Sequence, residues 1–430
     1  MLPSLAFLLS AAALPQDPGH GFDQAALQAK VDEILPRVAE LRGWEFKKPV
    51  PAGVKTPEEF LDYAKEEFES EYGAEQLAAM AQEYRLLGLM DPDLDLWQAM
   101  LDLLQSQVGG FYDPKTEAFY MISTFNAGLM ADIIMAHELT HALDDQYYQL
   151  DRMMAKASGL STDAEFAVRA VVEGSGTSLM SLYSVQGAMK GWLDMSDPDA
   201  LEEMKEMMAA STEGLAGAPP FLVMTLALPY LEGNKFLARE SNTMKATMTA
   251  PDPDELDHAF RRPPRSSEQV LHFEKYWDDE QWDPPVPVDL SRVANRLGAL
   301  GWELLDQDTY GELACFVVTE EEPPNLADPM AQMSAVWTNE AATGWGGDTL
   351  QLYRNEAGGH LAVWATVWDT AADAGEFSAA LRETARRNPF LRSVDEGETA
   401  VVAVFADDAA AAGAAEVREA VRRAVPKLFE

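Results

Sequence analysis

The sequence predicts an α+β protein in which a largely helical part precedes a smaller α+β domain. Segments with helical periodicity fill most of the chain up to residue 285, and alternating segments rich in β-branched residues are concentrated beyond it. Pro284-Pro285-Val286-Pro287 separates the two compositions, so we expect domains at residues 20–285 and 286–430. The 430 residues, 47% of them hydrophobic, are enough for two domains or one large one.

Turn and capping signals divide the first helices. Gly43, the prolines of residues 49–51 and Gly73 interrupt the helical pattern. Thr56-Pro57-Glu58-Glu59 predicts a helix start, because it combines an N-capping threonine, a proline at the first helical position and acidic residues in the first turn.

A hairpin is predicted after a further helix over residues 94–107. Residues 111–122 contain two short extended segments around the Asp113-Pro114 turn. An edge strand at this place could hold an extended substrate through main-chain hydrogen bonds. Ordinary sheet scaffolding explains the same pattern equally well.

The remaining elements follow from the same two periodicities. Helices are predicted over residues 162–183, 199–210, 220–236, 328–342, 371–387 and 407–425, and strands over residues 349–354, 361–368 and 399–405. The resulting αββαβα order beyond the prolines is typical of a small α+β domain. The single cysteine, Cys315, lies in an apolar run and is interpreted as a buried small hydrophobe.

Charge and the N-terminal segment restrict the function. The formal net charge of −40 argues against nucleic acid and against an anionic membrane surface as partners. Residues 1–16 join an apolar run to the small residues Ala11-Ala12-Ala13, which predicts a signal peptide and an exported, periplasmic or extracellular protein. A basic n-region is missing, so the alternative is a short N-terminal anchor or a disordered tail. No apolar stretch is long enough for a transmembrane segment in the mature chain.

The most informative segment is His137-Glu138-Leu139-Thr140-His141. On a helix, the two histidines of this HExxH pattern lie one turn apart on one face, where two neutral imidazoles can bind one Zn²⁺. Glu138 would then stand beside the open coordination positions, as the general base for a water. For this composition, a chance match of the pattern is expected only roughly 0.01 times.

A zinc site of this kind requires a third protein ligand. The metzincin pattern is excluded, because Asp144 and Tyr147 occupy the positions of its glycine and histidine. A glutamate on a following helix is the other solution, with Glu165 and Glu173 as candidates. Glu173 is preferred, since it lies among small and apolar residues, where a carboxylate is costly unless it is paired or metal-bound. A salt bridge to Arg169, one turn earlier, is the competing explanation.

Residues around these ligands have predicted supporting roles. Gly174 and Gly176 would let the zinc helix approach the helix that carries Glu173. Asp144 or Asp145 could accept the remaining N–H of a zinc-bound histidine. Helix capping and surface charge explain these two aspartates equally well.

Several motifs together resemble a known family. In chain order they are residues 137–146 (HELTHALDDQ), 172–174 (VEG), 229–233 (PYLEG), 266–272 (SSEQVLH) with 274–276 (EKY), and 344–348 (GWGGD). Over residues 109–368 the chain is similar to a group of largely uncharacterised bacterial proteins with a gluzincin-like (peptidase MA-like) zinc metallopeptidase domain. The resemblance implies a zincin-like fold for residues 20–285. The chain departs from the family at Phe273, where proline is usual, and at Ser175-Gly176, where Asp-Ala is frequent.

The resemblance also implies the reaction. The Zn²⁺ ligands would be His137, His141 and Glu173. Glu138 would take a proton from the attacking water and deliver it to the leaving amine of a peptide or protein substrate.

A further donor usually stabilises the oxyanion in such sites. His272 and Tyr276, four residues apart in one of the motifs, are the candidates for this role. A structural role, in which the two side chains fix a loop, explains them as well.

We therefore expect an exported zinc-dependent metallopeptidase. The alternative is a catalytically silent zincin-fold protein with a binding or structural role in the cell envelope. An intact Glu138 favours the enzyme, because a purely structural metal site does not need a base.

Overall fold

A computed structural model describes residues 22–194 and 217–429, with isolated positions between those two ranges. The expected signal peptide at residues 1–16 and most of the helix expected over residues 199–210 lie outside the described residues. Among the described helices, none combines the length and apolarity needed to cross a bilayer.

The part before residue 285 is largely helical. Its helices are α1 (Gln24–Arg42), α2 (Pro57–Glu71), α3 (Gly73–Leu87), α4 (Leu96–Gln107), α5 (Leu129–Tyr148), α6 (Leu150–Ser158), α7 (Thr162–Lys190), α8 (Pro220–Ala238), α9 (Thr243–Met248), α10 (Pro253–Arg261), α11 (Ser267–Leu271) and α12 (Glu274–Trp277). Its strands are β1 (Ala52–Lys55), β2 (Gly110–Asp113) and β3 (Ala118–Ile122).

The part after residue 285 is built on an antiparallel sheet with the strand order β4-β5-β6-β8-β7. Its elements are α13 (Ser291–Gly298), β4 (Trp302–Asp308), α14 (Gly311–Thr319), α15 (Pro329–Ser334), β5 (Trp345–Asn355), β6 (His360–Trp368), α16 (Ala371–Thr384), β7 (Leu391–Glu396), β8 (Ala400–Ala406) and α17 (Ala414–Ala424). The predicted α+β class is confirmed.

The predicted helix start at Thr56 is confirmed in detail. The Glu59 N–H donates to the Thr56 hydroxyl at 3.1 Å, and the Thr56 N–H donates to the Glu59 carboxylate at 2.8 Å. This reciprocal capping box satisfies two backbone donors at the start of α2.

The predicted hairpin is also confirmed, with one strand added. Strands β2 and β3 pair antiparallel, with Phe111 opposite Tyr120. Strand β1, which the proline-rich turn signal at residues 49–51 concealed, pairs in parallel with β3. The order β1-β3-β2 therefore leaves β2 at one edge of this sheet.

Two strands of the second sheet were absent from the prediction. Strands β4 and β7 lie at its two edges, and both contain charged side chains at several positions. Charged residues are depleted in strands in general but protect exposed sheet edges from unwanted pairing. The alternation that identifies a strand in sequence is consequently weak in both segments.

The two parts share one hydrophobic core. The rings of Tyr84 and Phe221 lie 5.3 Å apart, and each ring lies 6.2 Å from that of Tyr310, which follows β4. All three side chains belong to a continuous buried cluster that extends into the five-stranded sheet. Cys315 lies in the same cluster and is fully buried, as predicted.

The start of α7 is attached directly to the second part. The Thr162 N–H donates to the Asp308 carboxylate at 2.9 Å, and the Asp163 N–H donates to the Thr309 carbonyl at 3.1 Å. The Asp163 carboxylate in turn accepts the Ser267 N–H at 2.7 Å. The domain boundary at residues 285 and 286 stays a prediction, but buried polar contacts cross it.

Asp163 predicts a pH dependence of stability. Its side chain is 2% exposed, and burial raises its pKa to about 8, against the opposing effect of the Ser267 hydrogen bonds. A carboxyl whose pKa is higher in the folded than in the unfolded state stabilises the fold at low pH, and this stabilisation is lost as pH rises. We expect this group to lower the free energy of unfolding by about 2 kcal/mol between pH 6 and pH 8.

Urea unfolding of Asp163→Asn at both pH values tests this expectation. The amide resembles the protonated carboxyl, so the variant should lose this component of the pH dependence. The exposed Asp254 provides a matched control, Asp254→Asn, which should keep it. Equal pH dependence in the wild type and in Asp163→Asn would contradict the assignment.

Candidate metal centre

The HExxH segment lies in the middle of α5, which is buried on every side from Leu129 to Asp144. Apolar side chains surround its polar positions, as is expected of a helix in the centre of a large domain. His137, Glu138 and His141 are each at most 1% exposed. The histidines therefore face neighbouring helices and strands, not solvent.

Glu173 on α7 meets the two histidines. The Nε2 atoms of His137 and His141 are 2.9 Å apart. The Oε2 atom of Glu173 lies 3.2 Å from the Nε2 of His137 and 3.4 Å from that of His141. Ligand atoms bonded to one tetrahedral Zn²⁺ at about 2.05 Å are about 3.3 Å apart. The triangle formed by these three atoms therefore fits a single metal ion.

The polar groups of this triangle also fit a cation. Two imidazole Nε2 atoms that face each other at 2.9 Å have room for at most one hydrogen between them, so at least one of the two presents a lone pair to the centre. The Oε1 atom of Glu173 is buried without a hydrogen-bond partner, which is costly for a carboxylate. A bound divalent cation would interact favourably with the histidine lone pair and with the carboxylate of Glu173 at the same time.

The protonation states suit metal binding. Burial lowers the pKa of His141 to about 4, which leaves its ring neutral at pH 7. Burial alone would raise the pKa of Glu173, but His141 and His137 together lower it below its usual value. A neutral imidazole and an ionised carboxylate are the forms that coordinate metals.

The competing explanation for Glu173 is not supported. Arg169 makes its ion pair with Glu165, four residues earlier on the same helix. The partners of Glu173 are the two histidines. The ion pairs therefore distinguish the two glutamates that the sequence predicts as possible ligands. Glu165 pairs with Arg169, and Glu173 contacts the histidines of α5.

The two predicted glycines have different partners. A Cβ atom built on Gly176 would lie 2.6 Å from Cε1 of His137, so this glycine does allow α5 to approach α7. Gly174 instead meets the backbone of Gly233 on α8. Its predicted contact with α5 was wrong, because helix α8 occupies that face of α7.

Gly176→Ala is expected to displace the His137 ring and to weaken Zn²⁺ binding by about tenfold or more, since ligand geometry is set within tenths of an ångström. Gly375 offers a matched control, because it also lies in a helix and a Cβ there would meet nothing within 4 Å. Competition with a fluorescent zinc chelator measures both affinities. Equal affinities for the two variants would refute the close contact.

Asp144 and Asp145 have partners other than the histidines. Asp144 accepts hydrogen bonds from Arg42 at 2.9 and 3.0 Å and from the Ser175 hydroxyl at 2.5 Å. Asp145 accepts the Tyr112 hydroxyl and the Leu150 N–H, both at 2.8 Å. The predicted role of these carboxylates, as acceptors for a ligand histidine, is therefore wrong for both.

Arg42, Asp144 and Ser175 join three helices beside the metal ligands. Arg42 is in the last turn of α1, Asp144 on α5 and Ser175 two residues after Glu173. All three side chains are buried, and burial raises the pKa of Asp144 although Arg42 opposes this effect. The network fixes the register of α7 on α5. Ser175, one of the departures from the family pattern, is a member of it.

Tyr112 on the edge strand β2 holds α5 at two points. Its N–H donates to Oε2 of Glu138 at 2.9 Å, and its hydroxyl donates to Asp145 at 2.8 Å. The two acceptors are seven residues apart, which is about two helical turns. Tyr112 therefore orients the Glu138 carboxylate relative to the histidines, and one oxygen of Glu138 lies with their ligand atoms in a group spanning at most 4.8 Å.

Tyr230 is a site residue that was not singled out in the sequence. Its ring stacks on that of His137, with 5.6 Å between centroids and an angle of 20°. The signal was present, because Tyr230 belongs to one of the motifs that carried the resemblance. Its position next to the histidines, 93 residues after His137, depends on tertiary packing that local sequence patterns do not encode.

His272 and Tyr276 lie elsewhere. The Nε2 of His272 is 2.9 Å from the carboxylate of Glu312, and the Tyr276 hydroxyl donates to the Arg262 carbonyl at 2.5 Å. These hydrogen bonds lead to Glu312 and Arg262 and not to the ligand triangle. Their contacts are those of residues that fix a loop.

In comparisons with known proteins, one family matches part of the chain. Residues 300–425 match a domain of unknown function (DUF8575). The match begins just before β4 and ends after α17, so it covers the five-stranded sheet and not the metal centre. No curated protein and no solved structure matches the chain.

Proposed function

We propose that this protein is a zinc-dependent metallopeptidase of the gluzincin type. His137, His141 and Glu173 would hold Zn²⁺, and Glu138 would be the general base. The observation that carries the proposal is the triangle of ligand atoms with sides of 2.9, 3.2 and 3.4 Å next to a glutamate that does not belong to it. Two nitrogen donors and one oxygen donor are a set that catalytic zinc sites use.

The chain supplies proton transfer and orientation. A Zn²⁺ held by His137, His141 and Glu173 would supply a Lewis acid. Glu138 would accept a proton from the attacking water and return it to the leaving amine. The Tyr112 N–H holds one oxygen of Glu138, so the carboxylate needs little reorganisation when the proton is transferred.

We assign the stabilisation of the oxyanion to Tyr230 and not to His272 or Tyr276. The phenol ring of Tyr230 is adjacent to a metal ligand, whereas the other two side chains have partners away from the centre. A phenol is a neutral donor whose usual pKa near 10 keeps its proton at pH 7.

The wider assignment rests on the sequence motifs. We propose that the helical part is a zincin-like domain, since its HExxH helix and its glutamate helix cross at the ligand triangle. The proposed location is the periplasm or the cell exterior. The proposed substrate is a peptide or a protein. The formal net charge of −40 supports partners other than nucleic acid.

The test uses the purified full chain. Mass spectrometry under native conditions should find one zinc per chain, and a mixed peptide library should be cleaved. A chelator should abolish cleavage, and added Zn²⁺ should restore it. Full zinc occupancy without cleavage of any peptide would refute the peptidase and leave a metal-binding protein.

One observation favours a second function. The four side chains of the centre are at most 1% exposed, which is typical of a structural metal site. On that reading the protein is a catalytically silent zincin-fold binding or structural protein. The two functions differ in the role of Glu138, which a structural site does not require.

A further inference from the structure

A cavity of about 450 Å³ lies outside the metal centre. It is lined by residues 232–242 at the end of α8 and the start of α9, by residues 270–273, and by residues 333–338 at the end of α15 and just after it. Polar groups and apolar groups both line the cavity. Among them are Glu232, Lys235, Asn242, Leu271, Phe273 and Trp337.

The segments beside this cavity are unusually apolar for an exposed surface. Five exposed hydrophobic side chains lie on them and are defined here as the methionine patch: Met244 (62% exposed), Met248 (62%), Met330 (66%), Met333 (49%) and Val336 (69%). Met333 and Val336 also line the cavity. Only twelve large hydrophobic side chains are exposed in the described part of the chain. Five of these twelve side chains lie on two short segments. Such a concentration indicates an interaction surface and not scattered exposure.

The two sides of the patch are in contact. The Thr243 hydroxyl, at the start of α9, donates to the Met333 carbonyl at 3.3 Å. The methionines of α9 and α15 therefore form one surface and not two separate spots. Unbranched methionine side chains can adapt to apolar partners of different shape.

The floor of the cavity contributes no net charge. Glu232 and Lys235 form an ion pair at 2.8 Å, and both are largely buried. Trp337 is 2% exposed beside them. A ligand at this site therefore meets apolar side chains next to an ion pair whose two charges cancel. Any preference for a positively or negatively charged ligand must come from neighbouring residues.

Those surroundings are acidic. Residues 232–248 and 320–340 contain seven acidic and three basic side chains. Each of the three basic residues is already paired, Lys235 with Glu232, Arg239 with Glu255 and Lys245 with Glu240. Four exposed acidic residues, Glu321, Glu322, Asp328 and Glu340, belong to the same segment as Met330, Met333 and Val336, so this segment carries a net negative charge.

We propose that the methionine patch is a docking surface for a cationic, apolar peptide segment of another protein. Apolar side chains of the partner would pack on the methionines and enter the cavity, and its lysines or arginines would lie near Glu321 and Glu322. A second copy of this chain does not fit, because each copy carries a formal net charge of −40. This role is independent of the metal centre.

The test measures binding of a fluorescein-labelled 14-residue peptide of leucine and lysine by fluorescence anisotropy. The full-length chain carries Glu138→Gln throughout, so that the peptide is not cut. The triple variant Met330→Ser, Met333→Ser, Val336→Ser should raise Kd by about tenfold or more, because exposed apolar contacts at the centre of an interface dominate affinity. Leu160→Ser is the matched control, since Leu160 is 71% exposed elsewhere, and it should leave Kd unchanged.

A second variant separates charge from apolar contact. Glu321→Gln with Glu322→Gln should weaken binding and reduce its dependence on salt. A peptide with glutamate in place of lysine should not bind. The proposal is overturned if the patch variants bind as the wild type does, if the acidic peptide binds equally well, or if sedimentation shows that a second copy covers the patch.

Discussion

Glu138→Gln is expected to abolish peptide hydrolysis while zinc binding is retained. Glutamine has the shape of glutamate, and its amide oxygen can still accept the Tyr112 N–H that now binds Oε2 of Glu138. It cannot accept a proton at neutral pH, so kcat should fall by roughly 10³-fold or more. Peptide turnover and zinc content, measured on the same preparation, give the two quantities.

Glu83→Gln is the matched control for this substitution. Glu83 is also buried, with 1% of its side chain exposed, but it lies away from the metal centre. Its carboxylate accepts a hydrogen bond from the Tyr310 hydroxyl at 2.7 Å. Burial raises its pKa well above the usual value, so an amide should replace it with little effect on turnover. If Glu138→Gln instead lost both zinc and turnover, Glu138 would be a ligand and not the base.

Glu173→Gln is expected to lower zinc affinity by more than about 100-fold, because loss of a partner outside the coordination sphere already costs 10–100-fold. Its Oε2 lies 3.2 Å from the Nε2 of His137 and 3.4 Å from that of His141. In the wild type, free zinc at one hundred times Kd should raise the free energy of unfolding by about 2.7 kcal/mol. The same zinc concentration should stabilise the variant much less. Thermal unfolding with and without zinc measures the difference.

Glu165→Gln is the control for the third ligand. Glu165 is buried on the same helix but pairs with Arg169, so its replacement should lower stability and leave zinc affinity as it is. The opposite result, in which Glu165→Gln loses zinc and Glu173→Gln keeps it, would transfer the ligand role to Glu165.

Local patterns were sufficient for much of the fold and for the centre of the site. The capping box at Thr56, the hairpin before α5 and the helices around the HExxH segment all depend on residues close in sequence. A carboxylate among small apolar residues requires a partner, which predicts a buried partner for Glu173, and Glu173 lies next to both histidines. The strands β4 and β7 were not predicted, since edge strands carry the charges that obscure alternation.

Contacts between distant segments could not be read from the sequence. Arg42 meets Asp144 across 102 positions, and Asp144 bonds Ser175 and not a ligand histidine. Nothing in the local sequence of Asp144 distinguishes these partners, because a carboxylate on a helix accepts any donor that the packing presents. For the same reason the sequence predicts His272 and Tyr276 as oxyanion donors, whereas Tyr230 is the residue that lies beside His137.

The burial of His137, Glu138, His141 and Glu173 has a kinetic consequence. A chelator that attacks a bound ion removes it at a rate proportional to chelator concentration, but this route requires an exposed coordination edge. Here the ion could leave only when the elements that enclose the centre open transiently, so the rate of its loss would reach a plateau equal to the opening rate. Substrate entry would require an opening of the same elements. The maximum turnover would then measure the rate of this opening and not the rate of bond cleavage.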